Sequence, residues 1–372
     1  MLHCQNRPAI TPPPIRAPGE DQQLLRDAAG RLAREHLIPL LSVPAQPHSR
    51  ARSARLAAAL GLDALILPVT AGGAGVSQEA LYAVIEQLAH GPLDSAALLT
   101  LSVPALLVLR AHDALHRLAA PDMRSYLDGT TSVSLTVPGA HACTLWRLQL
   151  HEHAAGFAMV RTSGASGASG DCRLVLATGD DWTRAVTHRH PVASVGALAL
   201  ERLQVSQAGL SRCEALAAPA DDAPPVREWL TETGSYLCAL LAGTMQQAVA
   251  LALDHTTTRH AFRRPLAAQQ LVAARLADML VATHVSTLFL RSVSAAAGAT
   301  RACLAPQVFR HVALEAVATT RELVQLCGAH GYVEGLPAAA WFQQVPPLAN
   351  LLLLSADALC TRAAGAARAG SP

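Results

Sequence analysis

Arg259, Phe262, Arg263, Arg264 and Pro265 fall at the break between two long apolar helical stretches, with Gln270 a turn into the second. Guanidinium groups gathered at a helix junction, beside the free N–H groups that open a new helix, suit a phosphate; the plain alternative is a solvated helix end. Gln325-Leu326-Cys327-Gly328-Ala329-His330-Gly331-Tyr332 ends a later helix with two glycines, which either cap it or let a flat ligand approach the backbone. Other reactive sets are weaker. His151-Glu152-His153 places two imidazoles on one side of a strand, and His188 and His190 repeat that spacing around Arg189. Neither pair has a third ligand nearby, so a polar strand edge is the better reading and no metal site is expected. Cys327 near His330 has the spacing of a thiolate and its base, against the commoner buried structural cysteine.

The 372 residues are 51% hydrophobic, 15% charged and 3% aromatic, with Ala and Leu dominant; this describes a folded, largely helical chain of two or three domains. All 29 cations are arginine, so a Schiff-base lysine and a phosphate-loop lysine are both excluded. A formal charge of +2 with no basic run argues against nucleic acid or a membrane surface as partner. The sequence has no G-x-S-x-G, no H-E-x-x-H and no G-x-G-x-x-G; Gly72-Gly73-Ala74-Gly75 is a loop between apolar elements. The eight cysteines form no C-x-x-C pair, which suits a reducing cytoplasm. The longest apolar stretch, Ala96 to Leu109, is broken by Thr100, Ser102 and Pro104, and is expected to be too short to span a membrane.

These residues need a frame. Residues 1–20 read as a disordered Pro-rich leader, not a signal peptide. Residues 21–131 read as a helical domain, with helices over 21–41, 51–60, 78–90, 94–109 (broken or kinked at Pro104) and 121–127. From 132 to 220 the pattern turns to short alternating runs (SVSLTV, LWRLQLHEH, GFAMVRT, CRLVLAT, LALERLQV), a small antiparallel β domain. SGASGASGD, at 163–171, reads as a flexible hairpin connection. After the Pro-rich joint at 221–225, helices over 226–260, 267–298, 306–329 and 338–366 predict a C-terminal four-helix bundle over 226–366. The fold class is α+β, mainly α.

With that layout the chain resembles the acyl-CoA dehydrogenase family from about Asp21 to Ala364. DQQLLRDAAGRLAREHLIP is similar to the family's opening helix, and GLDALILPVTAGGAGVSQEALYAVIEQLAH to its Gly-Gly-Ala-Gly turn and following helix. SLTVPGA resembles Leu-Thr-Glu-Pro-Gly-Ala. DHTTTRHAFRRPLAAQQLVAARLADM resembles Arg-x-x-Phe-Gly-x-Pro followed by Leu-Ala-Asp-Met, and QLCGAHGYVEGLP resembles Gln-x-x-Gly-Gly-x-Gly-Tyr. The resemblance implies an FAD-binding homo- or hetero-oligomer (dimer or tetramer) that oxidises acyl-CoA or a carrier-bound acyl thioester to the enoyl product. A carboxylate would take the α-proton while hydride passes to the flavin, and electrons would leave through an electron-transfer partner. By position it implies that Arg259 and Gln270 contact the FAD diphosphate and that Phe262 packs near the cofactor. Gln325, Gly328 and Ala329 would reach a neighbouring subunit's FAD, and Thr136 would bond the isoalloxazine edge.

The departures are specific. The family's Gly-Glu-Gly-Thr segment aligns with LLLL, which puts Leu352 at the base position and Leu354 at the FAD-contacting threonine. Some members carry the base on the first bundle helix; there the aligned residue is Thr233, with Glu232 adjacent as a weak candidate, and Asp357 lies further downstream. Arg263 and Ala329 replace family glycines. Two readings follow: an FAD-dependent acyl-thioester dehydrogenase with a displaced base, or a catalytically silent subunit that completes a partner's FAD site.

Overall fold

The computed structural model describes residues 19–42, 65–71, 73–118, 132–139, 141, 143–149, 155–161, 172–195, 198–216, 225–333 and 337–369. The leader up to residue 18, the expected helices over 51–60 and 121–127, His151 to His153 and the 163–171 connection lie outside these residues.

Helix α1 (Glu20–Leu32) opens with two acids at its positive end and runs on through a π turn (Ala33–Leu37) and a 3-10 turn (Ile38–Ser42). The Ser77 hydroxyl caps α2 (Gln78–Leu88) by accepting the Ala80 N–H at 3.3 Å. As expected, Pro104 divides the next apolar run. It stands in the first turn of α4 (Val103–Ala111), where no N–H is needed, and α3 (Leu93–Thr100) ends before it.

Strands β1 (Leu135–Pro138), β2 (Thr144–Gln149), β5 (Val186–Val195) and β6 (Leu198–Val205) form an antiparallel sheet in the order β1-β2-β6-β5. Strands β3 (Gly156–Arg161) and β4 (Cys172–Ala177) pair separately, and the short helices α5 (Gly179–Ala185) and α6 (Gln207–Leu210) flank them. The β5 strand, absent from the alternation pattern, is an edge strand with bulges near His188 and Pro191, which is where a sheet tolerates proline.

Four long helices complete the chain: α7 (Pro225–Thr258), α8 (Gln270–Ala295), α9 (Gly298–Cys327) and α10 (Pro337–Ala369). A two-strand hairpin, β7 (His260–Ala261) and β8 (Arg264–Pro265), joins α7 to α8. From Trp229 to Met245 every residue of α7 is buried, so it serves as the central helix against which the N-terminal helices also pack. Gly243 makes that contact possible, because a Cβ there would collide with the Glu86 carbonyl oxygen. Gln246 reinforces it by donating to Glu86 Oε1 at 2.7 Å and Thr287 Oγ1 at 3.1 Å. Helix α9 begins eight residues before Pro306, which sits inside the helix rather than opening it.

One expectation about membranes is corrected. Leu93–Ala111, Pro225–Thr258 and Gln270–Ala295 are each long and apolar enough to cross one by length and composition, since Ala, Thr and Ser interrupt hydropathy less than charges do. The apolar windows of the first two are 94% and 72% buried inside the protein, so they are core; that of α8 is only 28% buried.

Candidate functional site

The phosphate-side candidates converge at one end of the bundle. Arg259 follows α7, its N–H bonding the His255 carbonyl at 2.9 Å while its own carbonyl accepts the Leu266 N–H at 2.8 Å. Between these bonds the hairpin turns through Phe262 (φ 53°) and Arg263 (φ 65°), two consecutive left-handed residues as a two-residue hairpin loop demands. Phe262 is 93% exposed, and Arg259, Arg263, Arg264 and Gln270 are exposed around it. The end of α9 lies alongside, the His255 and His330 rings being 6.4 Å apart. Gln325, Gly328 and Ala329 are exposed there, and Gly328 (φ 59°, ψ −137°) has open space where a Cβ would stand. Burial, then His330 and Arg259, push the His255 pKa down. Among the described residues no carboxylate pairs with Arg259, Arg263 or Arg264. The structure therefore gathers the predicted phosphate-binding residues and turns them outward.

Thr136 is arranged oppositely. It is fully buried on β1; its hydroxyl donates to the Phe157 carbonyl, and its own carbonyl accepts the Trp229 indole N–H at 2.9 Å. Phe157 and Trp229 pack with ring centroids 4.8 Å apart, so two aromatic side chains close this corner. Leu352 is fully buried, and the 337–369 segment that carries it is one continuous helix. Leu354, half-buried, borders an open groove of about 880 Å³ between the sheet and α10. The sheet contributes Trp146, Val192, Ala193 and Leu200 to its lining; the helix contributes Pro346, Pro347, Asn350, Leu351, Leu353 and Asp357.

The carboxylates have partners. Glu232 is fully buried, accepts the Tyr82 hydroxyl, and meets Arg301 at 2.8 Å. Burial foremost, then Glu232, raise the Tyr82 pKa well above its usual range. Burial opposes the charge on Arg301, but Glu232, Tyr82 and Glu228 hold its pKa up. One turn before Glu232, Glu228 bonds His112 at 2.7 Å, and burial raises its pKa despite that partner. Asp357 is exposed and paired with Arg310 at 2.7 Å. Thr233 is buried with no partner for its hydroxyl among the described residues, and a hydroxyl is no base at neutral pH. Burial raises the pKa of the Cys327 thiol, so it is not a thiolate. His188 and His190 stack at 6.4 Å on exposed β5, and no group of three metal-ligating side chains occurs among the described residues. The Tyr82–Glu232–Arg301 set was not legible as a unit, although a lone acid in the apolar run WLTETGSYLCALL signals a paired charge.

The model of the acyl-CoA dehydrogenase N-terminal domain matches residues 19–124, and that of the C-terminal domain matches 228–349. The chain belongs to the acyl-CoA dehydrogenase family. Butyryl-CoA dehydrogenase from Megasphaera elsdenii superposes with a TM-score of 0.65 at 16% identity, over 94% of this chain and 99% of that one. A chain from work on the electron transferring flavoprotein of Acidaminococcus fermentans gives 0.71 at 16% identity, over 94% and 98%. A prolyl acyl carrier protein oxidase gives 0.69 at 12% identity, over 95% and 100%. At these identities the likeness is one of fold. No curated protein sequence matches the chain.

The family implies FAD, and the residues present fit it on one side only. Unpaired guanidinium groups, an exposed glutamine and a glycine without a side chain suit a diphosphate. On the ring side Thr136 has both oxygens engaged, and the groove beside Leu354 offers as polar side-chain groups Asn350, Asp357 and the Trp146 indole N–H. A flavin's ring carbonyls would lie there with few donors, at a cost of about 1–3 kcal/mol for each one buried unpaired.

Proposed function

We propose that this family member is a catalytically silent subunit of a heteromeric acyl-CoA dehydrogenase, completing a partner's FAD site rather than oxidising a substrate alone. The observation that carries this reading is the contrast between the two halves of the site. Arg259, Gln270, Gln325, Gly328 and Ala329 face outward, while the base position is a fully buried leucine and Glu232 is bound to Arg301. Bound FAD would supply the electron sink; this chain's arginines and amides would hold its phosphates, with Phe262 beside them. The partner would be a homologous chain with its own carboxylate base. The exposed apolar side chains Leu271, Val281 and Leu288 on α8 support assembly as a dimer or tetramer. The substrate would be acyl-CoA or a carrier-bound acyl thioester, with electrons leaving through an electron-transfer partner. The free thiols of Cys143, Cys213, Cys303 and Cys360 support a cytoplasmic location.

The whole-length likeness to a solved dehydrogenase, together with matches to both family domains, favours a second reading: an independent FAD-dependent dehydrogenase with a displaced base. Flavin content separates the two. Expressed alone, the chain is expected to be flavin-poor and unresponsive to saturated acyl thioesters. Co-expressed with a homologue it should yield a yellow complex whose flavin content falls on Arg259→Ala. A yellow homo-oligomer bleached by an acyl thioester would refute the silent-subunit reading, and loss of that bleaching in Glu232→Gln would then identify the base.

A further inference from the structure

We propose that a cleft between α1, α2 and α8 binds a small neutral amino acid as its zwitterion, with the ammonium on Glu86 and the carboxylate between Arg26 and Arg291. The site lies apart from the arginine-bearing hairpin, and it does not depend on whether the chain is a silent subunit or an independent enzyme.

Glu86 is a buried carboxylate without a counter-charge. It is 3% exposed on α2, and Gln246 donates to its Oε1 at 2.7 Å. Its Oε2 has no hydrogen-bond partner among the described residues, and the side chain lines a cleft of about 480 Å³ that opens to solvent between the three helices. His90 shares the Gln246 amide at 2.9 Å, but burial foremost pushes its pKa down, so the ring is neutral at pH 7 and supplies no cation. Buried charges are ordinarily paired, and one neutral amide leaves this one wanting a cation.

Cations stand in the same cleft but not on Glu86. Gln246 also donates to Thr287 at 3.1 Å, which sets that residue of α8 beside Glu86, and Arg291 is one turn further along α8. On the other side Gln22 bonds Ser77 at 3.4 Å and Gly30 lies against Gln87, so α1 runs alongside α2 with Arg26 midway between those contacts. Both guanidinium groups are therefore rooted about one helical turn, ~5 Å, from Glu86 toward the mouth. Both line the cleft, and neither has an ion-pair or hydrogen-bond partner among the described residues. Glu79, another turn out, also lines it unpaired.

Opposite charges that share a cleft and stay apart select a ligand carrying both signs close together. A bare cation on Glu86 would face two arginines, and a polyanion between the arginines would face two glutamates. A zwitterion meets both: two guanidinium forks suit one carboxylate, and an ammonium suits the free Glu86 oxygen. Ala80, Ala83 and Leu290 supply apolar lining, which fits a small hydrocarbon side chain. Leu290 and Ser294 face the cleft roughly 150° around α8 from Val281 and Leu288, so the apolar stripe offered to a partner subunit is a different face of that helix.

The full-length chain is titrated calorimetrically with L-alanine and L-valine, with ethylamine and propionate as the two halves of alanine, and with inorganic phosphate. Saturable binding of the amino acids at one site per chain is expected, with each half-ligand and phosphate weaker by roughly tenfold or more. Arg26→Gln and Arg291→Gln should each weaken alanine by roughly tenfold and leave ethylamine no weaker. Glu86→Gln can still accept from Gln246 and loses an uncompensated buried charge. Its ligand-free melting temperature should therefore equal or exceed the parent's, while the rise that alanine gives the parent disappears. Failure of both amino acids to bind overturns the proposal. So does ethylamine or phosphate binding as tightly as alanine, which makes the cleft a plain cation or anion site. Alanine binding that survives Glu86→Gln and Arg291→Gln places the ligand elsewhere and overturns it too.

Discussion

Glu232 offers the sharpest test, because the catalytic and structural readings of this residue predict opposite phenotypes. Its carboxylate is fully buried, accepts the Tyr82 hydroxyl and pairs with Arg301 at 2.8 Å, while Arg301 keeps 18% of its side chain in solvent. Glu232→Gln preserves shape, and its single carbonyl oxygen can accept from Arg301 while its NH2 turns to the Tyr82 hydroxyl oxygen, but it leaves a largely buried guanidinium without a counter-charge. Breaking a buried pair from one side costs about 3–5 kcal/mol, and the residual exposure of Arg301 places this case near 3 kcal/mol. In a chain of this size that is a fall of roughly 4 °C in the melting midpoint. Replacing both partners, as Glu232→Gln with Arg301→Met, removes the stranded charge and should return stability to within about 1 kcal/mol of the parent. The assay is urea unfolding followed by tryptophan emission, the midpoint shift being compared across the two single variants and the double. A midpoint unchanged in Glu232→Gln, within about 0.5 kcal/mol, together with single-variant effects that simply add, would refute the structural assignment and return Glu232 to candidacy as a base.

Glu228 has its pKa raised above 4.5 chiefly by burial, so the native state favours the protonated form; stability is fully present below pH 4.5 and is lost as pH rises through the folded-state value. Glu228→Gln should flatten that decline in a stability–pH profile, and a profile identical to the parent's would refute it. Gly243→Ala drives a methyl into the Glu86 carbonyl and should cost more than about 2 kcal/mol by chemical denaturation, with early loss of amide protection in α2. Arg263→Gly relieves a left-handed conformation worth roughly 1 kcal/mol, so calorimetry should show a small rise in melting temperature while FAD retention by a co-expressed pair falls.

Much of the frame was readable because it depends on local pattern. The turn at Pro104, the alternating strands and the four long helices follow from backbone geometry and periodicity that neighbouring residues set between themselves. β5 escaped because His188, His190 and Pro191 carry no strand signature, and an edge position with bulges accommodates them only once β6 supplies a partner. The start of α9 was misplaced at Pro306 because a proline ordinarily opens a helix; packing of its buried face carries the helix through it.

For the site, residue type alone determined that Leu352 is no base and that an arginine-rich hinge follows α7, since neither statement depends on distant neighbours. Only the tertiary structure decided what those residues can reach. It turned Arg259 and Gly328 outward side by side, gave both Thr136 oxygens to Phe157 and Trp229, and set Arg301 against Glu232 across 69 positions of chain. Contacts of that kind are fixed by how helices and sheet pack, and sequence spacing carries no record of which side chains packing will bring together.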